Sequence, residues 1–159
     1  MDAIVFMLCV SLHNIEEALW LMEWQQKEMP NSRRNIKKNY FIFAVIGITV
    51  LLHLVSGLYL LFPNNTIFNY GFVGCVGVML INAIVPHLAL FIKTRKYCPG
   101  ILTGSFLLIP LNSIILYKKI SVHLTIGEVV FSTLIMGLLL ILAILLLKKI
   151  AKRALSFLE

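Results

Sequence analysis

One short segment near the start of the chain combines ionisable side chains that bind metals or transfer protons. His13, Glu16 and Glu17 form the pattern His-x-x-Glu-Glu, and Glu23 follows further along. The surrounding residues are apolar, and unpaired ionisable groups at membrane depth cost several kcal/mol each. On a helix these side chains share a sector of about 120°. Such a stripe must face a protein interior or water, and we expect it to be functional.

The composition is that of an integral membrane protein. The chain has 159 residues, of which 60% are hydrophobic and 13% charged, and its mean hydropathy is +0.93. Five apolar stretches reach the roughly 20 residues that a membrane-spanning helix needs. They cover approximately residues 2–22, 40–62, 66–92, 100–117 and 124–147. The sequence predicts an all-α bundle of five transmembrane helices that forms a single domain, residues 1–159.

The basic residues predict how the bundle is oriented. Of the 14 Lys and Arg residues, 12 fall on one side of the predicted bundle, and only Lys118 and Lys119 fall on the other. The positive-inside rule then places the N-terminus outside the cell membrane and the C-terminus in the cytoplasm. The net charge of +7 fits binding to anionic membrane lipid. No folded basic module is evident, so we expect no nucleic-acid partner.

Polar residues of the later helices fall at a similar depth to the stripe. His53 and Asn112 are central in their spans. Asn82 lies just past the middle of the third span, and His87 lies in its inner half. Pro86 is expected to kink the third helix and to free the carbonyl of Asn82. A second kink is expected at Pro110, and Gly71, Gly74 and Gly77 predict that the third helix packs closely at the centre of the bundle.

Histidines and carboxylates at one depth predict a metal site, because imidazole and carboxylate suit Zn, Fe or Mn. The spacing of His13 and Glu17 presents two ligands from one helix face. The predicted ligands are His13, Glu17, His53 and His87.

Three further residues are predicted to support this site. Glu16 is interpreted as the catalytic group, either a base beside the ligands or a ligand of a second ion. Asn82 and Asn112 are predicted to contact the bound cofactor.

Other interpretations apply to several of these residues. A single membrane histidine more often bonds a neighbouring helix than a metal. Glu23 is equally well explained as a solvated residue at the membrane border, and His123 and Glu128 as residues near the outer surface. Trp20 and Trp24 fit an interfacial aromatic belt as well as a pocket lining.

The pattern His13-Asn-Ile-Glu16-Glu17 resembles the signature of the HXXEE-domain membrane proteins. The segment from Asn82 to His87, followed by Tyr97-Cys-Pro-Gly100, is similar to the later part of the family pattern. The resemblance covers the first four helices and implies a membrane fold and candidate positions rather than a reaction.

These residues favour a membrane-embedded metal-dependent enzyme that acts on a lipid or an apolar small molecule from the inner half of the bilayer. Hydrolysis is the expected reaction with Zn, and oxidation would be open to Fe or Mn. A small proton- or cation-coupled transporter is an alternative that a homodimer would complete. A non-catalytic membrane immunity or assembly factor is a further alternative.

Overall fold

The computed structural model describes residues 1–28, 37–122 and 124–155. This part of the chain forms five helices long and apolar enough to cross a membrane, and no strand. They are α1 (Asp2–Glu28), α2 (Lys38–Leu61), α3 (Thr66–Thr94), α4 (Ile101–Val122) and α5 (Ile126–Leu155). The predicted all-α membrane bundle is confirmed.

The orientation of the bundle stays a prediction. Two of the basic residues used for it, Arg33 and Arg34, lie outside the described residues. His123, interpreted as a residue near the outer surface, lies outside them as well. Labelling of a cysteine placed beside Asn64 tests the orientation. Labelling from the cytoplasmic side alone would reverse it.

Helix α3 is the central element, as its glycines predict. It contacts each of the other four helices. A Cβ atom at Gly74 would lie 2.5 Å from the carbonyl oxygen of Ser132, and one at Gly77 would collide with Thr133. The absence of side chains at these two positions therefore lets the backbones of α3 and α5 approach closely.

Both helices with a predicted kink have an irregular turn beside the proline, and the kink itself is seen in α3. In α3 the irregular turn covers Ala83–Leu88, where Val85 is extended with φ −127° and ψ 112°. In α4 the widened turn covers Gly104–Leu108 and ends just before Pro110. A proline has no N–H for the carbonyl one turn earlier, so the helix is irregular in the turn that precedes it.

A short turn connects α3 to α4. Arg95 ends α3 in the left-handed conformation with φ 52°, and Gly100 precedes α4 with φ 91°. The carbonyl of Cys98 accepts a hydrogen bond from the N–H of Ile101 at 3.0 Å. This turn, residues 95–100, brings Tyr97 and the start of α4 against α1.

Candidate metal centre

Two helices supply the central group of the site. His13 and Glu17 are one turn apart on α1, and the irregular turn of α3 carries His87. Nε2 of His87 lies 2.7 Å from Oε1 of Glu17, and Nε2 of His13 lies 3.7 Å from the same oxygen. One ligand atom from each residue falls within 4.8 Å of the others. His13 and His87 are buried, with 0% and 1% of their surface exposed. We call this group the His/Glu cluster.

Asn82 completes one side of the His/Glu cluster. Its Nδ2 lies 3.1 Å from Nε2 of His13. Asn82 directly precedes the irregular turn of α3, and His87 lies within that turn. Asn82 therefore reaches His13 while His87 reaches Glu17, one helical turn further along α1. The structure thus brings together His13, Glu17, His87 and Asn82 among the residues predicted from the sequence.

Glu16 lies behind His13 and caps the start of α4. Its Oε2 accepts hydrogen bonds from the backbone N–H of Thr103 at 3.0 Å and from the Thr103 hydroxyl at 2.6 Å. The first N–H groups of a helix have no partner within the helix, so a carboxylate at this position stabilises α4. Glu16 is only 4% exposed.

These bonds fix which nitrogen of His13 carries the proton. The Thr103 hydroxyl donates its single hydrogen to Glu16, so it accepts from Nδ1 of His13, 3.0 Å away. The lone pair of His13 is therefore on Nε2, the atom beside Glu17 and Asn82. A hydrogen bond to the second ring nitrogen is what normally orients a metal-binding histidine.

Tyr97 supplies the third donor to Glu16. Its hydroxyl donates to Oε1 of Glu16 at 2.8 Å. Partial burial, and then the hydrogen bond to Glu16, raise the pKa of the Tyr97 phenol above its ordinary value. The phenol therefore keeps its proton and remains a donor.

Gly100 leaves room for the His87 ring. A Cβ atom at this glycine would lie 2.5 Å from Cε1 and 2.6 Å from Nδ1 of His87. Residue 100 also has a positive φ of 91°, which favours glycine. The connecting turn thus positions His87 as well as Glu16.

A large apolar cavity adjoins the His/Glu cluster. Its volume is about 760 Å³, and Glu17 and Asn82 form part of its wall. Most of the other lining side chains are aliphatic and come from α1, α2, α3 and α5. The size falls within the range of about 300–1,000 Å³ typical of small-molecule sites.

The structure does not place His53 with the other predicted ligands. Its Nδ1 donates to the carbonyl of Thr49 at 2.8 Å, and its Nε2 lies 3.2 Å from the Ser11 hydroxyl. Both nitrogens therefore have partners in the contact between α1 and α2. His53 shares the depth of His13, but the rotation of α2 about its axis directs it to Ser11.

Asn112 is also separate from the His/Glu cluster. It is fully buried, and its Nδ2 donates to the carbonyl of Val76 at 3.3 Å. Val76 lies well before the kink of α3, so Asn112 joins α4 to α3 away from the cluster. The predicted cofactor contact of Asn112 is not part of the arrangement seen here.

The buried part of the polar stripe on α1 ends at Glu17. Glu23 is exposed and forms an ion pair with Lys38 at 2.6 Å, which agrees with a position at the membrane border. Trp20 is 49% exposed, so it does not line the cavity. Glu128 accepts from the Tyr70 hydroxyl at 2.6 Å, far along the bundle from the cluster.

Reasoning from the sequence gave no role to Thr103 or Tyr97. Thr103 lies at the start of the fourth predicted span, and a single threonine carries no signal of its own. Tyr97 and Gly100 did carry a signal, because they belong to the Tyr-Cys-Pro-Gly turn. Their contacts to Glu16 and His87 give that turn a physical function.

Comparisons with known proteins identify the family of this chain. The family described as "Protein of unknown function with HXXEE motif" matches residues 4–115. The chain is 41% identical over 149 residues to "Uncharacterized protein YrkK" of Bacillus subtilis (strain 168), covering 93% of this chain and 94% of that protein. No solved structure matches the chain. Its His13-x-x-Glu16-Glu17 segment and the match through most of α4 show that the chain belongs to the HXXEE family.

Proposed function

We propose that this protein is a membrane-embedded metal-dependent enzyme that acts on a lipid or an apolar small molecule. The proposal rests on one observation: two buried imidazoles meet a partly buried carboxylate, Glu17, which forms part of the wall of an apolar cavity. Buried ionisable groups in a membrane bundle need a partner of opposite charge or a cation.

The donor set fits a divalent transition metal. His13, Glu17 and His87 would supply two nitrogens and one oxygen, the combination found in catalytic zinc sites and in nonhaem iron sites with open positions. Nε2 of His13, which carries the lone pair, lies 3.7 Å from Oε1 of Glu17. Glu16 is not a member of this group, and its hydrogen bonds to Thr103 and Tyr97 support a positioning role.

The residues around the cluster have defined tasks in such an enzyme. A bound metal ion supplies Lewis acidity toward a polar group of the substrate. Asn82 lies beside His13 and on the cavity wall, so its amide is placed to hydrogen-bond that polar group. The aliphatic lining binds the apolar part of the substrate and keeps bulk water away from the ion.

Metal content tests the proposal directly. We expect the protein, purified in mild detergent and loaded separately with Zn²⁺, Fe²⁺ or Mn²⁺, to retain about one equivalent of one of them after desalting. His13→Ala, Glu17→Ala and His87→Ala are each expected to retain less than about a tenth of that, because three ligands are near the minimum for a stable site.

His53→Ala is the matched control. It removes a histidine of similar depth whose nitrogens bond Ser11 and Thr49, so its metal content is expected to equal that of the wild type. Absence of retained metal in the folded wild-type protein would contradict the metalloenzyme and leave hydrogen-bonded helix packing as the function of the cluster. Equal loss in His53→Ala would contradict the assigned ligand set.

A further inference from the structure

The cavity has one end that is chemically different from the rest. Its lining comes from four helices, α1, α2, α3 and α5. Along α5 the lining runs from Thr133 to Lys148. Fifteen residues of helix correspond to about 22 Å, so the cavity is long enough for an extended hydrocarbon chain.

Lys148 provides a positive charge at this end. Its side chain is half-buried and lines the cavity, and within the described residues no ion pair or hydrogen bond involves its ammonium. The carboxylate on the cavity wall, Glu17, is already 2.7 Å from His87. A half-buried ammonium beside an apolar cavity is complementary to a ligand with one negative charge.

Lys148 and the His/Glu cluster lie at similar depths. Leu147 packs against α2 at Gly47, where its methyl carbons occupy the space that a Cβ would need. Two residues further along α2, Thr49 accepts from Asn14 of α1 at 2.7 Å. Lys148 is therefore within about one or two helical turns of Glu17 along the bundle axis.

We propose that the cavity binds a long-chain fatty acid, with its carboxylate at Lys148 and its hydrocarbon chain directed along α5 toward Thr133. The carbons nearest the carboxylate then pass Glu17 and Asn82. The Lys148 ammonium and the elongated cavity match a single-chain amphiphile with a carboxylate better than a diacyl lipid. This inference rests on the proposed function and names its substrate class.

Binding of radiolabelled palmitate to the purified full chain tests this assignment. Lys148→Gln is expected to weaken palmitate binding about tenfold or more, the value of a charge-assisted hydrogen bond to a partly buried group. Lys149→Gln, the matched control, changes the neighbouring exposed lysine and is expected to leave binding unchanged. Unlabelled hexadecanol, with the same chain and no charge, is expected to compete at least tenfold more weakly than palmitate.

The assignment would be overturned by an absence of saturable palmitate binding, by equal affinity in Lys148→Gln and the wild type, or by equal competition from hexadecanol. Lysophosphatidylcholine competing as well as palmitate would also contradict a carboxylate site. The metal content of Lys148→Gln is expected to equal that of the wild type. If palmitate binding depends on Lys148 in a protein that holds no metal, the fatty-acid site is retained and the metal-dependent enzyme is rejected. If the protein binds metal but not palmitate, the enzyme is retained and the fatty-acid site is rejected.

Discussion

Glu16 and Glu128 are held by the same three kinds of donor in two distant parts of the bundle. Glu16 accepts from the Tyr97 hydroxyl and from the backbone N–H and hydroxyl of Thr103. Glu128 accepts from the Tyr70 hydroxyl and from the same two groups of Thr125. In each case the carboxylate caps the first turn of a helix.

The two arrangements differ in the second hydrogen bond that the threonine hydroxyl makes, in addition to its bond to the carboxylate. Thr125 also accepts from the N–H of Glu128 at 3.3 Å, which closes a capping box within a single stretch of chain. The Thr103 hydroxyl lies 3.0 Å from Nδ1 of His13. One threonine therefore completes a helix cap, and the other connects a helix cap to the His/Glu cluster.

A carboxylate that accepts hydrogen bonds from all these donors is therefore not by itself evidence of a catalytic site. Glu128 is fully explained by the start of α5. Glu16 accepts the same set of bonds, but its donor Thr103 also bonds Nδ1 of His13, a proposed metal ligand. Matched variants at the donors of Glu16 and of Glu128 distinguish a helix cap from a group that supports the His/Glu cluster. Loss of a helix cap is expected to change stability alone, whereas loss of a supporting group is expected to change metal affinity as well.

Gly100 gives the largest expected difference. Gly100→Ala places a Cβ 2.5 Å from the His87 ring at a positive φ, so we expect at least a tenfold loss of metal affinity and a destabilisation of about 1–3 kcal/mol. Gly127→Ala is the control, because its nearest atom is 3.9 Å away. Metal titration and thermal unfolding in detergent measure both effects. Unchanged metal affinity in Gly100→Ala would show that the position of His87 is not critical.

Thr103→Val gives the next largest effect. It removes the hydroxyl between Glu16 and His13 but keeps the shape of the side chain and the backbone N–H. Loss of a group that orients a metal ligand usually costs about 10- to 100-fold in affinity, and we expect a loss in this range.

Thr125→Val is the matched control for Thr103→Val. It removes the corresponding hydroxyl from Glu128 and is expected to reduce stability by about 1 kcal/mol, as for a lost helix cap, without changing metal affinity. Isothermal titration with the retained metal measures the affinities. Similar affinities in both variants would reject the role of Thr103 in orienting His13.

The five helices, the irregular turns near both prolines and the central place of α3 were predictable from the sequence because hydropathy, proline and glycine act locally. The grouping of His13 with His87 followed from their similar depth in the membrane, which is obtained by counting residues along each predicted span. Depth does not fix the rotation of a helix about its axis, so His53 and Asn112 were expected at the site although they bond Ser11 and Val76. Thr103 was missed because its role depends on a contact to a residue far away in the chain.

The smallest expected difference concerns the two tyrosines. Tyr97→Phe removes one of three donors to Glu16, and we expect a loss of about 0.5–1 kcal/mol in stability and at most a few-fold loss of metal affinity. Tyr70→Phe removes the corresponding donor from Glu128 and is expected to cost a similar amount of stability with no change in metal affinity.

The pH dependence of the Tyr97→Phe effect follows from its raised pKa, which partial burial and the hydrogen bond to Glu16 produce. A raised folded-state pKa means that the stabilisation is fully present below the ordinary tyrosine value of about 10 and is lost as pH rises through the folded-state value. The difference in melting temperature between the wild type and Tyr97→Phe is therefore expected to stay constant from neutral pH to about pH 9 and to shrink only at higher pH. Melting curves followed by tryptophan fluorescence measure this difference. A difference that already disappears near pH 8 would show that the Tyr97 phenol loses its proton early and does not act as a lasting donor to Glu16.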